Sequence, residues 1–253
     1  MTEFQASSKS LVTFLNGFGK KLEDIAIRAK GGYIEAAVGN STHYMRRRLS
    51  CDVVKSGNLF ISDLTKFKGF LSANKNGTMK VSQSGKTGTL HVNCDKSSLQ
   101  LLTTSYIQSQ ADVPLIEKLV SRSEDNMWQT WANFNLDYHA KVEGEDFIPA
   151  TQFSKVVGNK FNCRTEFDPH GQEYVIRAGS RNKGKMFVKV SLVDIDSPDI
   201  PARSAFAHWL PDLLSNMPAG PIDLHTGDET VLVLKQPDSG YLLVVMDQEY
   251  EED

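Results

Sequence analysis

The residues whose types could do chemistry are scattered. Six histidines, His43, His91, His139, His170, His208 and His225, include no H-x-x-x-H or H-E-x-x-H pair, the spacings that set two imidazoles on one helix face around a metal. Cys51, Cys94 and Cys163 stand 43 and 69 residues apart, without the close pairing of a zinc site or a disulfide framework. Three such thiols fit core positions in a reducing cytosol, and the sequons at Asn40 and Asn76 are then chance matches. Gly85-Lys86-Thr87 resembles the end of a phosphate loop, but Lys80 occupies the position of that motif's first glycine. It also falls between two strands rather than ahead of a helix, so a hairpin turn is expected. Asp194, Asp196 and Asp199 in D-I-D-S-P-D could hold a divalent ion, yet the glycine and distal glutamate of a calcium loop are missing, which leaves a solvated acidic loop. There is no G-x-S-x-G, dinucleotide fingerprint or paired C-x-x-C. No catalytic mechanism can be built, and the expectation is a non-enzymatic protein without metal or cofactor.

What remains is electrostatic. The 253 residues carry 28 Lys plus Arg against 31 Asp plus Glu, a formal charge of −3. Four helix-like windows, 8–23, 62–76, 150–164 and 203–217, contain ten basic residues, Lys9, Lys20, Lys21, Lys66, Lys68, Lys75, Lys155, Lys160, Arg164 and Arg203. The acids there are only Glu23, Asp63 and Asp212, so the windows hold a surplus of +7 and the rest of the chain −10. Lysine is a good helix former, but glutamate is equally good and almost absent, so propensity does not explain the sign. The helices are expected to attract polyanions that the remaining surface repels.

Those windows must be positioned by strands. Leu11, Leu15, Phe18 and Leu22 form an apolar helical stripe, with Lys9, Thr13, Asn16 and Lys20 opposite. The second window opens on an N-cap signal at Ser62-Asp63 and closes on Asn76-Gly77. It sets Leu64, Phe67 and Leu71 against small or polar Thr65, Gly69, Ser72 and Asn76. Strand-like runs follow the first helix (25–30, 33–38, 44–54) and the second (78–82, 87–93, 99–107). The plan recurs, with a helix after Pro149 carrying Phe153, Val156, Val157 and Phe161, strands at 165–167, 174–178 and 186–193, and a helix over 204–217 with Phe206, Trp209, Leu210, Leu213 and Leu214. Strands at 222–224, 231–234 and 241–246 close the chain. Helix starts near 9 and 62 and near 150 and 204 give intervals of 53 and 54, which predicts a two-copy repeat. The expected division is a domain over 1–110, a connector over 111–137 and a second domain over 138–253, an α+β arrangement. No apolar run reaches a membrane span and no secretory pattern opens the chain, so a soluble, cytoplasmic protein is expected.

Two strand-rich repeats with basic helices inside an acidic chain resemble the DNA sliding clamps. Gly39 to Tyr44, G-N-S-T-H-Y, looks like the S-S-H segment of the proliferating cell nuclear antigen family, and I-P-A-T-Q-F-S-K-V (148–156) like the opening of that family's second-domain helix. The tail S-G-Y-L-L-V-V-M-D-Q-E-Y-E-E-D is similar to its last strand and acidic end. A helix almost at the start, S-D-L-T-K-F-K-G-F-L and N-M-P-A-G-P-I-D-L look closer to the compact clamps of tailed bacteriophages, which would place the chain in a host cytoplasm. The resemblance implies curved antiparallel sheets with two helices per domain on the inner face, closed as a homotrimeric ring around duplex DNA. It implies no sequence-specific contacts, a replicative DNA polymerase and an ATP-dependent clamp loader as partners, and no membrane. By position, the strand of Leu99, Leu101 and Thr103 would pair with that of Met186, Val188 and Val190 in the next subunit. A partner-peptide pocket would fall at Val38, His43, Tyr44, Val245 and Met246. Departures are the weakly charged last helix, with Arg203 alone, and Lys160 and Arg164, near the apolar side of their helix wheel. Arg46, Arg47 and Arg48 lie on a predicted strand whose alternation turns Arg47 from the other two; they serve a loader or polymerase, or are a solvated strand. The alternatives are a monomeric processivity factor of the same fold and a viral structural β-protein.

Overall fold

The computed structural model describes residues 1–19, 22–39, 43–84, 88–102, 130–131, 134–136, 138–152, 164–170, 173–180, 184–196, 204–206, 213–214, 217–226 and 231–246. They belong to two compact units, Met1–Val38 with Arg46–Ser121, and Gly39–Met45 with Arg122–Asp253.

The first unit begins with a strand, β1 (Thr2–Ser7), where the sequence suggested a helix almost at once. β1 is central in its sheet, so even Thr2 and Glu3 are buried and the alternation that would have exposed it as a strand is blurred. Glu3 keeps its charge satisfied by Lys80, at 3.0 Å. Helix α1 (Ser8–Asn16) then starts under an N-cap, the Ser7 hydroxyl accepting from the Ser10 amide. It is little over half the expected window. Phe18, beyond its end, still packs edge-on against Phe14 with ring centroids 5.4 Å apart, so the apolar stripe outlasts the helix. β2 (Ile25–Lys30), β3 (Tyr33–Gly39) and β4 (His43–Ser50) follow. The single strand expected over 44–54 is two, because after Cys51 the chain leaves β4 for β5 (Asp52–Lys55), which pairs with β1 in the other sheet. After β6 (Gly57–Ile61), Asp63 caps α2 (Leu64–Ala73), its carboxylate accepting from the Lys66 amide at 2.9 Å. β7 (Thr78–Gln83), β8 (Leu90–Cys94) and β9 (Ser97–Leu101) complete the unit.

The strands form an antiparallel sheet of order β5-β1-β7-β8-β9 and a run of order β4-β3-β2-β6. Phe4, Leu11, Leu15, Ile27, Phe60, Phe67, Met79 and Val92 fill the core of the unit. Gln83 ties the sheets: its buried amide accepts from the Phe60 amide at 2.7 Å and donates to the Phe60 and Gly88 carbonyls at 3.1 and 2.7 Å. One side chain thus supplies the backbone partners that β6 lacks there. The helices run antiparallel. Ser8 donates its amide to the Gly77 carbonyl (2.9 Å) and its hydroxyl to the Leu71 carbonyl (2.6 Å), while Leu64 donates to Glu23 at the far end (2.9 Å).

The second unit contains the two-residue strands β10 (Thr130–Trp131) and β11 (Phe134–Asn135), then β12 (Tyr138–Glu143). A 3₁₀ segment, Gly144–Gln152, encloses Pro149, so helical backbone begins six residues before the predicted start. It is held at the first turn. Gly144 donates to the Gly220 carbonyl and the Glu145 carboxylate accepts from the Gly220 amide, both at 2.9 Å, and a Cβ on Gly144 would lie 1.9 Å from the Pro218 carbonyl oxygen. β13 (Arg164–His170), β14 (Glu173–Ser180), β15 (Gly184–Ser191), β16 (Val193–Asp196), β17 (Ser204–Phe206), β18 (Pro221–Thr226), β19 (Val231–Gln236) and β20 (Tyr241–Met246) follow. They make a run of order β16-β12-β18-β19-β20 and a sheet of order β15-β14-β13-β17.

Three expectations are corrected here. Ser204–Phe206 is a strand paired with β13, because an added edge satisfies the backbone that an intrahelical ladder would have used. Arg164 opens β13 and is not on a helix. Asp194 and Asp196 sit on β16 rather than in a free loop. The helical stretches expected over 153–163 and 207–212 and most of the connector lie outside the described residues.

Candidate nucleic-acid interface

The apolar stripes of α1 and α2 face the core and leave a second stripe exposed on each. On α1 it is Lys9, Thr13 and Asn16; on α2 it is Thr65, Gly69 and Ser72, with exposed Lys66 beside it and Lys75 and Asn76 just beyond the helix end. The small residues leave the α2 backbone approachable, and a Cβ added at Gly69 would meet nothing within 4 Å. Antiparallel packing gathers the cations at the ends. The bond from Ser8 to Gly77 puts Lys9 and Lys75 at one end of the helix pair, and Lys66 marks the other.

These lysines are not equivalent. Lys66 reaches back to Asp63 at 3.0 Å, and that pairing, led by the Lys66 amide on the same carboxylate, holds Asp63 below the usual carboxylate range. The charge of Lys66 is therefore partly balanced locally. Lys68 is half-buried beside the apolar stripe, and burial lowers its pKa. Lys9 and Lys75 are exposed. Arg164 lies on β13, and Lys20, Lys21, Lys155, Lys160 and Arg203 lie outside the described residues.

One cation that the helix windows missed joins this surface, and a second lies at the end of α1. Exposed Lys96 follows Asp95, whose φ of +44° bends the β8–β9 turn, and Ser97 beyond it donates to the Asn74 side chain at 2.8 Å. Lys96 is thereby brought to the Lys75 end of α2, beside an open polar cleft lined by Ser72–Gly77, Cys94 and Asp95. Only the turn spacing could have signalled it. Arg47 was visible through alternation: its guanidinium lies against Gly17 at the end of α1, on the sheet face opposite Arg48. It supplies a cation at a helix C-terminus whose last turn has none.

The residues matched to a partner pocket are placed unevenly. Val38, His43 and Tyr44 are half-buried, and burial lowers the His43 pKa. Val245 is fully buried and serves the core; Met246 ends β20. Of the matched interface residues, Leu99 and Leu101 lie on β9, and Met186, Val188 and Val190 on β15; Thr103 is outside the described residues. β9 and β15 each end a sheet.

No protein-family model and no curated protein matches this chain. Solved structures do. The proliferating cell nuclear antigen (PCNA) of A. fulgidus, solved with the C-terminal region of FEN-1 bound, matches with a TM-score of 0.69 at 9% identity, over 100% of both chains. PCNA from Thermococcus kodakaraensis matches with a TM-score of 0.67 at 14% identity, over 98% of this chain and 100% of the other. The DNA polymerase III beta subunit from Thermotoga maritima matches with a TM-score of 0.66 at 11% identity; 99% of this chain spans 66% of that one. The two-unit arrangement of antiparallel sheets, with α1 and α2 packed side by side, is thus the fold of the DNA sliding clamps, and it extends over the whole chain.

Proposed function

We propose that the chain is a sliding clamp: a non-enzymatic, homotrimeric ring that encircles duplex DNA without reading its sequence and tethers a replicative DNA polymerase after placement by a clamp loader. The observation that carries this reading is the difference between sheet edges. β15 pairs with β14 in unbroken register over eight residues and β9 pairs with β8 over five, leaving regular outer edges. The other sheet ends are short, occupied or irregular: β17 has three residues, Gln83 takes the Phe60 backbone groups of β6, and two more carry register shifts. β5 meets β1 with a register shift at Glu3/Phe4, and β16 meets β12 with a shift between His139 and Lys141, where Asp194 takes a φ of +50°. Bulges blunt an edge against pairing, while long regular edges invite it. A closed ring uses the regular edges, β9 of one subunit against β15 of the next, and leaves the blunted ones to solvent.

Lys9, Lys66, Lys75 and Lys96, with Lys20, Lys21, Lys155, Lys160 and Arg203, are then phosphate contacts that hold DNA loosely enough to slide. Lys68, half-buried, contributes less. The partner segment docks by the exposed parts of Val38, His43 and Tyr44, while Val245 is a core residue. The domain division is near 1–110 and 138–253 with a connector between. The test is retention on DNA after loading. The clamp stays on a nicked circle and runs off when the circle is linearised; equal retention on both forms would falsify encirclement.

A further inference from the structure

The chain contains two Asn-Gly pairs, Asn16-Gly17 and Asn76-Gly77, and they stand at the ends of α1 and α2. Asn16 is the last residue of α1, and Asn76 lies two residues beyond the Asn74 cap of α2. Both asparagines are exposed. A Cβ on Gly77 would collide with the sulfur of buried Cys94, and one on Gly17 would displace the Arg47 guanidinium. Packing therefore favours glycine after each asparagine. The antiparallel helices set one pair at each end of the exposed surface, Asn76 beside Lys75 and Asn16 at the end that Lys66 marks.

We propose that Asn16 and Asn76 are sites of spontaneous deamidation, through which this surface gains negative charge as the protein ages. The glycine nitrogen attacks the asparagine Cγ, the new C–N bond closes a five-membered imide, and the side-chain nitrogen leaves as ammonia with the glycine amide proton. Water then opens the imide at either C–N bond, giving aspartate or isoaspartate. Glycine favours the closure because no Cβ obstructs its nitrogen and its backbone turns readily. The fold sets the rate. Gly17 donates its N–H to the Thr13 carbonyl at 3.2 Å, and Gly77 donates to the Asn74 carbonyl at 3.0 Å, so attack requires each bond to open. Gly17 closes α1, at a helix end that frays. Gly77 is held a second time through its carbonyl, which accepts from the Ser8 amide at 2.9 Å. Asn16 therefore converts first. Each new carboxylate stands at a helix C-terminus, where the macrodipole disfavours it, and offsets the positive charge of the lysines on this surface.

The test is peptide mapping by mass spectrometry of the full chain incubated at mildly alkaline pH in heavy-oxygen water, native and in urea. In the native chain the label is expected at residue 16 about fivefold sooner than at residue 76, the worth of the one additional backbone hydrogen bond that ties Gly77. In urea the two rates are expected to rise and converge. Asn16→Gln/Asn76→Gln is expected to remove the acidic species that anion exchange resolves from the aged native chain. Native rates at both sites no faster than at exposed Asn93, which precedes a cysteine, overturn the proposal. So does conversion of Asn76 ahead of Asn16. The consequence for DNA rests on the clamp reading and is measured separately, because the mass change needs no DNA. Asn16→Asp/Asn76→Asp is expected to shorten retention on circular DNA about fivefold, the scale of two partly exposed charge pairs. Unaltered retention with the mass change present counts against the DNA surface and leaves the deamidation standing.

Discussion

His225 stacks on His139 across β12 and β18, with ring centroids 4.5 Å apart and planes 19° from parallel. Burial first, then the neighbouring charges of His139 and Lys235, push the His225 pKa down to about 3. The unfolded chain, with an ordinary histidine pKa near 6.5, binds this proton earlier, so the stability tied to neutral His225 is complete above about pH 6.5 and is lost as pH falls toward 3. The slope approaches about 1.4 kcal/mol per pH unit. Urea titrations at pH 7.5 and pH 5 are expected to show a loss of about 1 to 2 kcal/mol that His225→Gln largely removes; an equal loss in the variant would assign the effect to other groups. Little of this was legible beforehand. Six dispersed histidines show only that no metal spacing exists, while a stack requires the strand register. Residues 46–48 were more readable, because strand alternation alone separates Arg47 from its neighbours, although Glu35 as the partner that Arg48 shares with Arg28 required the fold.

At the scale of elements, the helix surfaces were read better than the helix ends. The predicted apolar face of α2, Leu64, Phe67 and Leu71, is buried, and the predicted small face is exposed. Periodicity reports which side of a helix is covered wherever the helix is regular. The ends depend on tertiary partners: α1 stops where Arg47 meets Gly17, and neither residue signals the other in sequence. Gly69 tests the role of the exposed stripe. With open space around it and a helical backbone, Gly69→Ala is expected to raise stability by about 0.5 to 1 kcal/mol in urea titration. Gly69→Glu, at the centre of the same stripe, is expected to keep the fold and shorten retention on circular DNA. Unaltered retention would remove α2 from the DNA surface.

For the whole molecule, the proposed ring closure turns on two strand edges. Leu102, just past β9, is 78% exposed, an apolar side chain at the end of an edge that the trimer would cover. Light scattering of the native chain is expected to give about 85 kDa, three copies of 28.2 kDa, and Leu102→Asp is expected to shift it toward the single-chain mass with its circular dichroism unaltered. A native monomer would instead favour a clamp-fold factor that binds one face of DNA. Among the described helices, none is long and apolar enough to cross a membrane. The residue order by itself determined the repeat, the α+β class and the segregation of charge, because periodicity, caps and composition are local quantities that survive without coordinates. Only the tertiary structure decided that β4 and β5 part into different sheets, that Asp63 neutralises part of the charge on Lys66, and that a buried carboxylate gathers Arg28 and Arg48 on the far side from α1. Each of these depends on which distant segments meet, and pairing across dozens of residues is set by the register and packing of the whole sheet rather than by the pattern of any one strand.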